Sequence, residues 1–184
     1  VMNCRPETAI ILGSGLGGLS DSIENRLEIN YRDIPYFPVT SVPGHEGKLI
    51  IGMLGGKCVL AMKGRAHYYE GNDISAVAFP IRVFALLKIK NLIITNAAGS
   101  INNDFSAGDL MLITDHISLF APSPLRGLND EKFGVRFPDM SRAYDPESLE
   151  YARTKAMERG LKVREGVYAF LPGPAYETPS EIKA

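Results

Sequence analysis

One short segment of this sequence concentrates side chains that could bind an anion. Residues 63–71, Lys-Gly-Arg-Ala-His-Tyr-Tyr-Glu-Gly, carry a guanidinium, an imidazole, two phenols and a carboxylate. Arg65 can hold an oxyanion through two parallel hydrogen bonds, and His67 can point the same way on extended backbone. Glu70 can pair with His67 and fix its tautomer or its charge. An exposed charged loop is the alternative, but the flanking glycines and the intervening tyrosines favour an anion site.

A glycine-rich segment at residues 13–18, Gly-Ser-Gly-Leu-Gly-Gly, follows an apolar run at residues 8–12. We expect it to open a helix over residues 16–23, so that its amides converge on an anion. The spacing also matches the Gly-x-Gly-x-x-Gly of dinucleotide-binding folds. However, residues 27–34 are polar and alternating, unlike the buried parallel strand that such a fold requires. A bare tight turn is a further alternative, and a phosphate cradle is the interpretation that we favour.

Three other loops carry candidate ligands. Residues 42–47, Val-Pro-Gly-His-Glu-Gly, place His45 between glycines, although a single loop histidine is more often a surface residue. Residues 96–100, Asn-Ala-Ala-Gly-Ser, are small enough to let a ligand approach the backbone, although alone they indicate only a tight turn. Residues 172–177 form a proline-rich loop that presents one aromatic ring and one carboxylate.

Other common chemistries leave no pattern in the sequence. No Ser-His-Asp or Cys-His spacing stands out, and no lysine follows the glycine-rich loop as in a P-loop. The two cysteines, Cys4 and Cys58, cannot make a disulfide framework, and no spacing predicts a metal site. His116 lies beside Asp115 in a strand-like run, and we interpret it as structural.

Composition narrows the class of protein. The chain has 184 residues, of which 45% are hydrophobic and 22% charged, which is typical of a globular domain with a substantial core. The formal net charge of −1 argues against a nucleic-acid partner. No apolar window is long enough to span a membrane, and the first residues contain no apolar signal segment. We therefore expect a cytoplasmic enzyme.

The candidate loops need elements that bring them together. Strands are expected at residues 8–12, 48–54, 57–62, 91–95, 109–117 and 166–171, of which 8–12 and 91–95 should be buried, and helices at residues 73–89 and 146–159. The Gly55-Gly56 pair predicts a hairpin, and Pro80 predicts a kink or a later helix start. Residues 118–144 should form a long loop, which is usually functional. Together these elements predict an α/β fold with a mixed central sheet flanked by helices.

The motifs taken together resemble the trimeric purine nucleoside phosphorylases. Six segments carry the resemblance in order along nearly the whole chain: residues 13–17, 43–45, 64–71, 96–99, 133–138 and 173–177. The related methylthioadenosine phosphorylases share the fold but resemble the Arg65 segment and the Phe137 loop less well.

The resemblance implies phosphorolysis of inosine- or guanosine-type nucleosides to a free purine and ribose 1-phosphate. It implies a phosphate site at Ser14, His45, Arg65, Ala66, His67 and Ala97, with His67 and Glu70 as catalytic residues. It implies nucleoside contacts at Tyr69, Ala98, Gly99, Phe137, Tyr176 and Glu177. In this family Glu177 would accept hydrogen bonds from the purine, and Phe137 would reach a neighbouring subunit's site in a homotrimer.

The chemistry of this reaction agrees with those residue types. Breaking the N-glycosidic bond passes through an oxocarbenium-like centre, so a phosphate fixed beside the ring both stabilises charge and becomes the nucleophile. Arg65 and the amides of residues 13–18 can hold that phosphate, and aromatic side chains can exclude water. The reaction requires no metal and no cofactor, with inorganic phosphate as a co-substrate.

The resemblance places the group that assists the leaving purine downstream of Glu177. Thr178-Pro-Ser-Glu181 is also a capping box that starts a helix only a few residues before Ala184. We therefore expect residues 1–184 to be a single nucleoside-phosphorylase-like domain that lacks its C-terminal part. The alternative is a short, non-catalytic protein that binds phosphate or a purine.

Overall fold

Seven strands and three α-helices organise the residues that the computed structural model describes, 4–40 and 46–184. The strands are β1 (Thr8–Leu12), β2 (Glu24–Asn30), β3 (Lys48–Leu54), β4 (Lys57–Lys63), β5 (Asn91–Ile94), β6 (Leu110–Ile117) and β7 (Val163–Ala169). The α-helices are α1 (Ile74–Leu86), α2 (Pro146–Glu158) and α3 (Pro179–Lys183). Short 3₁₀ helices lie at Gly17–Ser22, Tyr31–Asp33, Tyr68–Glu70 and Glu131–Phe133. The predicted α/β fold with a mixed sheet and flanking helices is confirmed.

The chain divides into two compact units, residues 1–98 and 99–184. The first unit contains a five-stranded sheet in the order β2-β3-β4-β1-β5. Strand β1 runs parallel to both β4 and β5, while β2, β3 and β4 are successively antiparallel. Because β2 pairs antiparallel at an edge of the sheet, the parallel unit that a dinucleotide fold needs does not form after the glycine-rich loop.

The β3–β4 hairpin forms where the sequence predicts it. Gly55 and Gly56 have φ angles of +55° and +75°. A two-residue turn with positive φ at both positions matches the twist of the flanking strands, and glycine adopts it without steric cost.

The central strands are covered on both faces by apolar side chains. Alternate residues of β1 enter two different clusters, with Ala9 and Ile11 in one and Ile10 and Leu12 in the other. Successive side chains of a strand point to opposite faces, so β1 is buried on both sides. This packing fixes the central strands, and so fixes the points at which the loops that follow them begin.

Helix α1 begins directly after Asp73, whose carboxylate accepts a hydrogen bond of 2.8 Å from the Ser75 amide. Pro80 lies inside the helix, so the expectation of a later start is wrong. The expectation that residues 91–95 form a buried strand is also wrong in one respect. Strand β5 forms at the edge of the sheet, where Leu92, Ile93 and Ile94 are 41–58% exposed.

The second unit is built on the parallel pair β6 and β7. Asp145 caps helix α2 through the Ser148 amide at 2.9 Å, and the helix ends before Gly160, which has a φ of +64°. The predicted capping box also forms, because Thr178 and Glu181 exchange hydrogen bonds at the start of α3. Strand β7 begins three residues earlier than the sequence predicts.

The two cysteines of the chain are joined to each other. Cys4 and Cys58 form a disulfide, with Cα atoms 6.0 Å apart, which joins the segment before β1 to β4 as a single bond rather than a framework.

Among the helices of the described residues, none has the length and apolar character needed to cross a membrane.

Candidate active site

Three candidate loops meet at the edge of the five-stranded sheet that is formed by the carboxyl ends of its parallel strands. In the sheet register Leu12 lies beside Lys63, and Ile11 lies beside Ile94. Because β1, β4 and β5 are parallel, their carboxyl ends share that edge. The glycine-rich loop follows β1, the Arg65 segment follows β4, and the segment containing Ala97 follows β5. Ligands of α/β sheets bind at such an edge.

The glycine-rich loop departs from its prediction. The expected helix over residues 16–23 is a six-residue 3₁₀ helix, Gly17–Ser22. So short an element provides little aligned dipole, so an anion here would be held by loop amides and neighbouring cations rather than by a helix terminus. Ser14 is exposed in this loop, and Gly15 has a φ of +79°.

The backbone on either side of Arg65 is held in place from within the protein. Gly64 has a φ of +92°, and its carbonyl accepts a hydrogen bond of 2.7 Å from the buried Tyr31 hydroxyl. Burial raises the pKa of the Tyr31 phenol, so this hydroxyl stays a donor. Ala66 is buried beside Arg65. The main chain from which the Arg65 side chain extends is therefore held in a fixed position.

The predicted pairing of His67 with Glu70 is confirmed. Glu70 Oε1 lies 2.8 Å from His67 Nδ1 and also accepts the His67 main-chain N–H at 2.7 Å. The Glu70 side chain is only 4% exposed. An ionised carboxylate only accepts hydrogen bonds, so a hydrogen bond to ionised Glu70 requires a proton on Nδ1. Thr40 contributes a longer contact, 3.4 Å from its hydroxyl to each carboxylate oxygen.

The remaining predicted residues of the first unit lie around these groups. Tyr69 stacks on the His67 ring, with centroids 4.8 Å apart, and is 47% exposed. Ala97 and Ala98 are exposed just beyond β5. His45 lies outside the described residues. The adjacent Glu46 pairs with Lys63 at 2.8 Å, and this contact lowers the pKa of the Glu46 carboxyl.

The second unit contains a cavity of about 250 Å³ beyond the end of β7. Its walls are Phe120, Leu171, Pro172, Gly173, Ala175, Tyr176, Glu177 and Glu181. The walls are largely apolar with two carboxylates, which suits a flat heterocycle that carries hydrogen-bond donors. Tyr176 and Glu177 thus both line this cavity, and Tyr176 is 95% exposed. Gly99, the first residue of this unit, is also exposed.

Phe137 lies in the loop between β6 and α2 and is 86% exposed. Its ring contacts the Arg136 guanidinium at 5.7 Å. At the base of the loop, the Tyr144 hydroxyl lies 3.2 Å from His116 Nδ1, and the two rings meet edge to face. Burial raises the pKa of the Tyr144 phenol. His116 thus has a structural contact, in line with its interpretation from the sequence.

Two residues of the first unit organise the site although no sequence pattern identifies them. The Tyr31 hydroxyl holds the carbonyl before Arg65. Thr95, which the sequence places only at the end of a strand, bonds to both Gly13 and Arg65. All three contacts join residues at least thirty positions apart, so no local pattern predicts them.

Within residues 4–40 and 46–184, no group of three or more His, Cys, Asp or Glu side chains is arranged to hold a metal ion.

The chain is similar in sequence to known proteins. A family model described as the phosphorylase superfamily matches residues 7–184. Purine nucleoside phosphorylase 1 of Geobacillus stearothermophilus is 53% identical over 178 residues, which cover 97% of this chain and 65% of that protein. The chain thus spans slightly less than two thirds of the length of this curated relative.

Solved structures show the same likeness. A purine nucleoside phosphorylase in complex with ribose-1-phosphate superposes with a TM-score of 0.92 at 45% identity, over 98% of this chain and 68% of that one. A Schistosoma purine nucleoside phosphorylase in complex with hypoxanthine gives a TM-score of 0.92 at 44% identity, over 99% of this chain and 66% of that one. The chain therefore belongs to the phosphorylase superfamily, and its relatives there are purine nucleoside phosphorylases.

Proposed function

We propose that this chain carries the phosphate and nucleoside sites of a purine nucleoside phosphorylase. One observation carries the proposal: the glycine-rich loop, the segment of Arg65 and the His67–Glu70 pair, and the loop of Ala97 follow three adjacent parallel strands at one edge of the sheet. A guanidinium, an imidazole and loop amides at one edge suit an oxyanion substrate. The relatives bound to ribose-1-phosphate and to hypoxanthine support the same reaction for this chain.

The first step is binding of phosphate. Ser14, Arg65, Ala66, His67 and Ala97 supply its ligands, and His45 completes the set. Arg65 provides a charged, directional donor, while the pairing of Glu70 with Nδ1 directs the other nitrogen of His67 toward the anion. When the imidazole is protonated, that nitrogen donates to the phosphate, and the buried Glu70 carboxylate balances the charge.

The second step is displacement at the sugar. A phosphate oxygen forms a bond to C1′ while the bond between C1′ and the purine nitrogen breaks, and the electron pair leaves with the base. The sugar passes through an oxocarbenium-like state that the adjacent phosphate dianion stabilises. The products are ribose 1-phosphate and, once the base has gained a proton, the free purine. No metal and no cofactor takes part in this scheme.

The nucleoside is recognised by the remaining predicted residues. Tyr69, Ala98 and Gly99 contact the sugar and base, and Tyr176 covers the purine. Glu177 accepts a hydrogen bond from the N1–H of a 6-oxopurine, which makes inosine and guanosine the substrates. The largely apolar cavity beside Tyr176 and Glu177 supports this assignment.

The active assembly is a homotrimer in which Phe137 completes a neighbour's site. Phe137 is 86% exposed, so its ring is accessible to a second molecule, as this role requires. The single family match over residues 7–184 supports one phosphorylase domain across both compact units. We place this purine salvage enzyme in the cytoplasm.

Steady-state kinetics with inosine and inorganic phosphate test the proposal. The protein should form hypoxanthine and ribose 1-phosphate, with a rate that saturates in phosphate. Arg65→Ala should raise the KM for phosphate by about tenfold or more, because it removes a charged donor, and should change the KM for inosine far less. Cleavage that does not depend on phosphate, or unchanged phosphate saturation in Arg65→Ala, would refute the proposed site.

A further inference from the structure

Thr95 lies at the junction of the three strands that carry the phosphate site. It directly follows β5, and its main-chain N–H donates to the Ile11 carbonyl at 3.0 Å, which extends the pairing of β5 with β1. Its hydroxyl donates to the same carbonyl at 3.0 Å. Thr95 is therefore fixed against β1 through both its main chain and its side chain.

The same hydroxyl holds the first residue of the glycine-rich loop. The Gly13 N–H donates to Thr95 Oγ1 at 2.9 Å, and Gly13 is buried. A Cβ at Gly13 would lie 2.4 Å from the Thr95 carbonyl oxygen, so the two backbones are in direct contact. Ser14 is the next residue, and its position follows from that of Gly13.

The Thr95 carbonyl faces the other principal phosphate ligand. It accepts a hydrogen bond of 2.9 Å from Arg65 Nη1. A guanidinium is planar, so fixing one of its nitrogens restricts the directions in which the others can donate. One residue thus sets the positions of both the glycine-rich loop and the guanidinium.

We propose that Thr95 is a positioning residue for the phosphate site, which it organises without touching the anion. This inference rests on the proposed phosphate site at Arg65 and residues 13–18. The main-chain N–H and carbonyl of Thr95 are present whatever the side chain, so a substitution can remove only the contacts of the hydroxyl. Without it the buried Gly13 N–H loses its acceptor, and the loop must shift to hydrate that group.

Two substitutions separate the hydroxyl from the rest of the side chain. Thr95→Val keeps the branched shape and removes the hydroxyl, while Thr95→Ser keeps the hydroxyl and removes the methyl group. Calorimetric titration of the protein with inorganic phosphate measures the site directly, and kinetics with inosine measure the nucleoside side separately. Thr95→Val should weaken phosphate binding by about tenfold and raise the KM for phosphate in parallel.

Thr95→Ser should stay within about threefold of the wild type, and Thr95→Val should leave the KM for inosine within about twofold. A general loss of structure would instead affect both substrates, and Ser would not rescue it. Equal phosphate affinity in Thr95→Val and the wild type would overturn the positioning role alone. Should Thr95→Val not fold, Thr95→Ala against Thr95→Ser provides the same comparison, and equal affinities would again overturn the role. A wild type that binds no phosphate would overturn the proposed function itself.

Discussion

At the scale of single residues, Glu70 and Glu177 illustrate two different uses of a carboxylate. The Glu70 side chain is almost fully buried, and its Oε1 atom lies within hydrogen-bonding distance of the main-chain N–H and the Nδ1 atom of His67. Its carboxylate therefore interacts with a protein side chain. Glu177 is half-buried at the wall of an open cavity, where its charge can be directed at a ligand. Burial therefore distinguishes the carboxylate that orients a neighbour from the one proposed to recognise substrate.

Glu177→Gln should cost about 1.5–3 kcal/mol of transition-state stabilisation with inosine, the range for a hydrogen bond to a charged group. Values of kcat/KM for inosine and adenosine measure the effect. Adenosine has no N1 proton to donate, so it should be a poor substrate of the wild type and should lose little further in the variant. Glu158→Gln, on helix α2 and outside the walls of this cavity, is the matched control. Efficient turnover of adenosine by the wild type would contradict the assignment.

At the scale of elements, close contact between β1 and β5 explains the glycine at the start of the glycine-rich loop. Besides the Thr95 oxygen, a Cβ on Gly13 would meet the Asn96 Cα at 2.7 Å. Both obstacles are main-chain atoms and cannot rotate away. A Cβ on Gly18, in the same loop, would have nothing within 4 Å, and Gly18 has no positive φ.

Gly13→Ala should therefore destabilise the protein by roughly 1–3 kcal/mol, the range for overpacking a buried site. Gly18→Ala should change the free energy of unfolding by less than about 0.5 kcal/mol. Urea denaturation of both variants provides the comparison. Similar stability of the two would show that the β1–β5 contact is looser than the structure indicates.

The long loop between β6 and α2 is closed at its base by the Tyr144–His116 contact. Tyr144→Phe keeps the ring and removes the hydrogen bond, so local opening of the loop should become several-fold more frequent. Trypsin should then cut more quickly after Arg126, Lys132, Arg136 or Arg142, as followed by mass spectrometry. Tyr151→Phe, on exposed helix α2, is the control and should not alter the rate. Unchanged cleavage of Tyr144→Phe would show that this contact does not hold the loop.

The accuracy of the sequence predictions follows the range of the interactions involved. The Gly55-Gly56 hairpin, the Asp145 cap and the Thr178 capping box depend on residues within a few positions of one another, and the sequence predicts all three. The edge position of β5 depends on how strands distant in sequence pair. The role of Thr95 is hidden from the sequence for the same reason, since its partner Gly13 lies 82 residues away.

The candidate site divides in the same way. The His67–Glu70 pair spans three residues and can be predicted from spacing and chemistry. The resemblance to a known family supplies the proposed roles of Ala97, Phe137 and Glu177, which the residue types alone do not reveal. The register of β1 with β4 and β5 then explains why the loops at Ser14 and Arg65 share one edge.

At the scale of the whole molecule, the proposed trimer makes a prediction about Phe137. Phe137→Ala should raise the KM for inosine by about tenfold or more, because an aromatic side chain anchored in a neighbour's pocket would be lost. Leu128→Ala, a fully exposed apolar residue of the same loop, is the control and should leave that KM unchanged. Analytical ultracentrifugation alongside activity measurements should show that dilution below the trimer dissociation constant abolishes turnover. A fully active monomer would contradict a shared site.

In the proposed reaction, a phosphate held at the carboxyl ends of β1, β4 and β5 is itself the nucleophile. The most direct measurement is the reaction of inosine with ¹⁸O-labelled inorganic phosphate in unlabelled water, with the sugar product analysed by mass spectrometry. Attack by phosphate forms the bond to C1′ through a phosphate oxygen, so ribose 1-phosphate should retain every labelled oxygen. Formation of free ribose in place of ribose 1-phosphate would mean that water is the nucleophile, and would contradict the proposed reaction.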